Sequence, residues 1–441
     1  MRILSHMRSS FTEAGEDASE VLRGASSALL IRGFGALLSF LFNVAIARLL
    51  GAEGTGQYYL ALSFATIGAL IARLGLDNAL LRFVSDAYAA GDFARAKAVA
   101  KRGLSIAAVT APLLALLGLF SANPIATVLY DKPELAPYLR WASVAIVSVT
   151  FQILLAQIVR GAKKIAYSSI VSAVIQPLTG LALLFPAVYF LDTGGPIVAF
   201  FLATALAAMV GAMMWHRISD NAPSPAASFP LSELVPSVKA LFVTSLVQNW
   251  LVPWAPVTVL GMFYSSHETG IFAAATRFGA LMTFFLASVN LAIAPKFAEL
   301  HRIAATDRLK KVARRFSLIV LVGTSPIMMV FIFAGDWAMG LFGPEFRPGG
   351  QALSILALGQ AINIATGSVG FILIMGGQER IVRNSAIVSA LVLVVGLGLL
   401  VPPFAAVGAA AASVLAIVSA NLMNAFFVWK KFGFAVYPRL G

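Results

Sequence analysis

The sequence predicts an all-α polytopic membrane protein of twelve transmembrane helices, arranged as two parallel six-helix repeats. Three observations carry this: few charges in an apolar chain, Lys and Arg confined to one side, and an internal duplication. Of 441 residues, 59% are hydrophobic and 12% charged, about half the charged share of an average globular chain. Mean hydropathy is +0.88. A helix crosses the bilayer in about 20 apolar residues, so twelve spans use about 240 and leave no room for a large soluble domain.

Twelve apolar runs qualify: 25–48, 57–81, 103–122, 138–159, 168–191, 195–214, 238–260, 269–292, 316–335, 350–374, 383–402 and 404–429. A barrel would alternate polar and apolar residues in segments of about ten, whereas these runs are apolar on most faces. The chain divides into a cytoplasmic segment (1–24), an N-lobe (25–217), a cytoplasmic linker (218–237), a C-lobe (238–429) and a cytoplasmic tail (430–441). Residues 1–24 carry Glu13, Glu16, Asp17 and Glu20 ahead of the first apolar run. That run is therefore a retained anchor and not a cleavable signal.

With the N-terminus in the cytoplasm, 25 of the 32 Lys and Arg fall inside. Only Lys132, Arg140 and Arg347 fall outside, and Arg32, Arg48, Arg73 and Arg277 sit within spans. The split obeys the positive-inside rule and puts both termini in the cytoplasm. It also explains the net charge of +13 as topology and contact with anionic membrane lipids, so no nucleic acid is expected. Absence of cysteine excludes disulfides, zinc ribbons and thiol nucleophiles. His6, His216, His267 and His301 are too scattered to make a local metal pair. No metal, cofactor or catalytic constellation is expected.

The halves repeat at an offset of 214. Thr55-Gly56 matches Thr269-Gly270, and Arg82-Phe83 matches Lys296-Phe297. Both are followed by a basic amphipathic stretch, 91–103 and 305–316, expected as helices along the cytoplasmic face. Tyr130–Glu134 resembles Phe342–Glu345, and 159–165 aligns with 375–381. Six spans per unit is an even number, so both halves share one orientation about an axis along the membrane normal. The linker 219–230, rich in Pro, Ser and Ala, falls between them.

Ionisable groups at mid-bilayer cost about 2.5–3.5 kcal/mol each on insertion scales, so they face a partner or a wet cavity. Arg32, Arg73 and Arg277 are well inside spans, with Asp77 the one carboxylate near a span interior. Arg32, Ser39 and Asn43 share a face of span one, as Tyr59, Thr66, Arg73 and Asp77 share a face of span two. Arg32 and Arg73 each lie about eight residues, roughly 12 Å, from the cytoplasmic end. Arg277 lies similarly near the outer end of span eight. Against a substrate role stands a packing role: Arg73 pairing with Asp77 at i+4, Arg32 holding backbone carbonyls. Gln248 and Asn249 sit in a span with Trp250, Pro253, Trp254 and Pro256, where two prolines three apart kink a helix. Gln152, Gln157, Gln176, Asn290, Gln360 and Asn363 are expected mainly as interhelical hydrogen-bonding groups.

The stretch 47–103 carries a small-residue LLG-x-x-x-x-G turn, an LGL before an Arg and a basic linker. It resembles polysaccharide-biosynthesis membrane proteins, the O-antigen-type flippases of the multidrug/oligosaccharidyl-lipid/polysaccharide exporter superfamily. The resemblance implies a V of two lobes opening alternately to each side. It further implies translocation of an undecaprenyl-diphosphate-linked oligosaccharide across the bacterial inner membrane, with a glycan polymerase or glycosyltransferases as partners. On this reading Arg32 and Arg73 receive the diphosphate at the cytoplasmic side and Arg277 holds it nearer the outside, with Asn43, Gln248 and Asn249 contributing. Multidrug and toxin extrusion antiporters of the same superfamily generally use buried carboxylates. Buried Arg suits an anion instead, since Arg forks to phosphate. Lipid II flippases usually carry two further helices. Membrane polymerases and ligases carry a large outer loop, while the longest outer connections here are 123–137 and 336–349. A non-transporting scaffold is the remaining class.

Overall fold

The computed structural model describes residues 2–191, 194–220, 229–282 and 306–434, and all regular structure among them is helical. Helix α1 (Arg2–Arg73) contains the first predicted span and the greater part of the second in one run, broken at Gly51 with φ 65°. Asn43 and Tyr59 would be about 24 Å apart along a straight helix, yet the Tyr59 hydroxyl donates to Asn43 Oδ1. The chain therefore folds back at Gly51, where a left-handed φ favours glycine. Leu74 and Gly75, both with positive φ, separate Arg73 from α2 (Leu76–Ala89), so predicted span two bends before its end.

The Asp92 carboxylate caps α3 (Phe93–Pro124) by accepting from the Arg95 N–H at 2.9 Å. A π-turn (Ile125–Leu129) and a 3-10 turn (Pro133–Leu135) lead to α4 (Ala136–Gly161). Next come α5 (Ile165–Ser169), a π-turn (Ile170–Val174), α6 (Ile175–Leu191) and α7 (Gly195–Ser219). Helix α4 is the pillar of this half, packed on α1, α2, α3 and α7.

The second half opens with α8 (Leu231–Leu246), a π-turn (Val247–Leu251) and α9 (Val252–Phe263). Helix α10 covers residues 266–282. Then follow α11 (Thr306–Phe333), α12 (Gly335–Met339), a 3-10 turn (Pro344–Gly349), α13 (Gly350–Ala365) and α14 (Val369–Met375). Helix α15 (Glu379–Phe432) is broken at Ala405, just past Pro402 and Pro403. Ser385 Oγ donates to Asn424 Oδ1 at 2.8 Å, and Ser389 Oγ to the Ala416 carbonyl at 2.7 Å. This run, too, folds back on itself.

Seven helical stretches among the described residues are long and apolar enough to cross a membrane; the two longest, Leu30–Arg73 and Glu379–Phe432, are the two that fold back. Phe120, Tyr189 and Phe333 are each more than three-quarters exposed, which an apolar solvent accommodates. The protein is a multi-pass membrane protein. The basic stretches 91–103 and 305–316 differ from expectation. Residues 93–103 and 306–316 form the first turns of α3 and α11 and run on into the apolar helix without a break. Gly103 stands at the junction in α3 without breaking it, and α11 has no Gly or Pro between 306 and 322. Asn290 and Lys296 lie outside the described residues, as do residues 221–228 of the linker.

The halves meet through small residues and polar clamps. A Cβ on Gly56 would overlap the Ser266 carbonyl, and one on Gly270 would overlap the Ala52 carbonyl. At the end of the bundle that carries the Gly51 turn, two loops clasp the opposite half. Lys132 Nζ donates to the carbonyls of Gly261 and Tyr264, the latter at 2.8 Å, at the C-terminal end of α9. Burial lowers the Lys132 amine below the usual lysine range, with Glu134 and Asp131 pulling it back. From the other half, Glu345 Oε2 accepts the Ala52 N–H at 2.9 Å, and Arg48 Nε donates to the Leu341 carbonyl at 3.0 Å. Each charge meets the helix end of opposite dipole sign.

Candidate substrate site

Two adjoining cavities lie between the halves and share Thr66, Val149 and Ile153 as a common wall. The first, about 300 Å³, is lined by Ser39, Asn43, Tyr58, Gln152, Gln176, Trp254 and Arg277 among others. The second, about 280 Å³, is lined by Arg73, Asp77, Asn78, Gln157, Gln248 and Asn249. Tyr59 touches Arg277 beside the first. Fourteen residues of α1 separate Tyr59 from Arg73, about 21 Å along the axis.

In the first cavity the Arg277 guanidinium carbon lies 4.5 Å from the Tyr59 ring centroid and 5.3 Å from that of Trp254. Two aromatic faces hold the cation by its π contacts, and the arginine Nε is buried without a hydrogen-bond partner among the described residues. Asn43, 9% exposed, is fixed by accepting from Tyr59 and donating to the Ser39 carbonyl. Among the described residues no carboxylate lines this cavity, so none of them compensates its cation.

In the second cavity Arg73 and Asp77 are 4% and 5% exposed. Their closest approach, Nε to Oδ2, is 3.9 Å, an ion pair but too long for a hydrogen bond. The pairing expected at i+4 is therefore present and loose. Gln248 and Asn249 stand on the π-turn between α8 and α9, an irregularity that often marks functional sites.

Five of the six residues singled out from the sequence line these cavities: Asn43 and Arg277 the first, Arg73, Gln248 and Asn249 the second. Arg32 does not. Its Nε donates to Ser169 Oγ at 3.2 Å, which holds it to α5 of its own half. Shared depth on neighbouring helices did not place the two arginines in one cavity. Trp254 was noted only as a neighbour of two prolines. The cation of Arg277, within a span of the same half, was the signal that an aromatic partner was needed. Gln152 donates to the Val171 carbonyl at 3.3 Å and Asn421 donates to Asn363 Oδ1 at 3.0 Å, the interhelical role expected of Gln152 and Asn363, whereas Asn363 donates to Gln360 within α13 at 3.0 Å.

Residues 21–301 match the model of the family described as polysaccharide biosynthesis protein. The chain is 22% identical to the probable low-salt glycan biosynthesis flippase Agl15 of Haloferax volcanii, over 93% of this chain and 84% of that protein. A shorter stretch is 33% identical to stage V sporulation protein B of Bacillus subtilis, covering 28% of this chain and 23% of that one. Among solved structures, the lipid II flippase MurJ in an inward closed conformation superposes with a TM-score of 0.74 at 14% identity, over 90% of this chain and 86% of that chain. An inward-facing multidrug resistance MATE family transporter of the MOP superfamily gives 0.73 at 14% identity, over 92% and 98%. The fold is that of these transporters, and the chain belongs to the polysaccharide biosynthesis protein family.

Proposed function

We propose that the protein is a flippase that moves a lipid-diphosphate-linked oligosaccharide, carried on undecaprenol, across the bacterial cytoplasmic membrane for surface polysaccharide assembly. The observation that carries this is Arg277, an uncompensated arginine held by aromatic faces at a cavity between the halves. An uncompensated guanidinium selects an anion and forks to phosphate oxygens. The family match and the glycan flippase similarity support the same substrate class.

In this reading twelve spans form two parallel six-helix lobes, both termini are cytoplasmic, and the lobes rock to expose the cavity to each side in turn. The reciprocal packing of Gly56 and Gly270 supports the duplication, since Ala52 and Ser266, the residues they touch, are also 214 apart. Arg277 and Asn43 take the diphosphate, and Arg73, Gln248 and Asn249 line the adjoining cavity. Purified protein in liposomes should carry a fluorescent prenyl-diphosphate oligosaccharide between leaflets. Export of organic cations with no lipid translocation would overturn the proposal in favour of an antiporter.

A further inference from the structure

We propose that the Arg73–Asp77 cavity is a carbohydrate subsite, binding the hydroxyls of the sugars attached to the diphosphate while the phosphates sit at Arg277. This rests on the flippase reading and adds a division of labour to it. Arg73 Nε and Nη1 and Asp77 Oδ1 are buried and have no hydrogen-bond partner among the described residues. Such atoms carry a desolvation cost, larger when charged, unless a ligand meets them. Gln157, Gln248 and Asn249, which line the same cavity, have no partner there either.

The chemistry of a suitable ligand follows from the pair. An anion would satisfy Arg73 and be repelled by Asp77; a cation would do the reverse. Arginine only donates, an ionised carboxylate only accepts, and a carboxamide does both. A hydroxyl also does both, so a polyol can meet all these groups with no net charge. The cavity of about 280 Å³ is near the lower limit for small-ligand pockets, about 300 Å³. Thr66, shared by both cavities, lies midway along α1 between Tyr59 and Arg73, so a chain of sugars leaving Arg277 runs toward Asp77.

Binding to the whole solubilised protein is measured with citronellyl diphosphate and with its glucosyl, galactosyl and N-acetylglucosaminyl derivatives. Asp77→Asn and Gln248→Leu should each weaken at least one glycosylated ligand fivefold or more, and leave citronellyl diphosphate unchanged within twofold or tighter. Arg277→Ala should weaken them all. Gln248 is exposed, so its variant folds even if Asp77→Asn does not. Equal weakening of bare and glycosylated ligands, or no change in any, overturns the subsite. Failure of every diphosphate to bind wild type counts against the flippase reading instead. In that event methyl glycosides, which carry no phosphate, still decide: they should slow alkylation of Asn249→Cys, and no protection by any of them overturns the subsite.

Discussion

Gly56 and Gly270, one from each half, lie backbone against backbone: a Cβ on either would overlap a carbonyl of the opposite helix. Gly56→Leu should therefore prevent the outer ends from closing. The natural sequence has no cysteine, so Leu62→Cys on the cavity wall is a clean reporter. Its labelling by a membrane-impermeant maleimide should rise several-fold in the Gly56→Leu background. Unchanged labelling would mean the interface absorbs the side chain.

Arg277→Lys keeps the charge and loses the fork. Translocation should fall tenfold or more while abundance stays near wild type, and Arg277→Ala should abolish it. Arg32→Ala, which loses only a bond to Ser169, should transport within a few-fold of wild type. Full activity of Arg277→Ala at normal abundance would remove that residue from the mechanism.

Tyr59 acts on Arg277 through its ring face. Tyr59→Phe keeps that face and should bind a prenyl diphosphate nearly as wild type does. Tyr59→Leu removes a cation–π contact of about 0.5–2 kcal/mol, which is about two- to thirtyfold in affinity. Equal losses in Phe and Leu would assign the effect to the hydroxyl on Asn43.

Lys132→Met takes two charged hydrogen bonds from the outer clasp and Glu345→Gln weakens one, each bond worth about 1.5–3 kcal/mol. Either should shift the population toward outward opening by about tenfold or more, read by the same Leu62→Cys reporter. If both together match wild-type labelling, the clasp does not hold the outside shut.

Reporter fusions should place residues 85–102 and 296–315 in the cytoplasm and 123–137 and 336–349 outside, following the distribution of Lys and Arg. One inverted segment would break the twelve-span arrangement.

Helix existence was legible because a bilayer imposes one length and one polarity on every crossing. Predicted spans 138–159 and 195–214 fall within α4 and α7. The fold-back points were less so: Gly51 and Ala405 each break a run by a single residue. Arg277 was found because a charge among apolar residues needs a reason, and Tyr59 because it lay on a polar stripe. The direction of Arg32 and the stacking of Trp254 were not, since both depend on which helix stands opposite. Lys132 counted only as one of three outer basic residues, and its grip on α9 is a contact between residues more than a hundred positions apart.

The outer clasp closes on main chain. Lys132 holds the carbonyls of Gly261 and Tyr264, and Glu345 holds the amide of Ala52. Every residue has a carbonyl and every non-proline residue an amide, so neither grip depends on the identity of the side chain it meets. In the duplication proposed above the two copies drift, and a lock built from paired side chains would fail whenever one partner changed. This lock needs only one charged residue on each side and an intact helix end opposite, which leaves the two halves free to diverge in sequence and still shut.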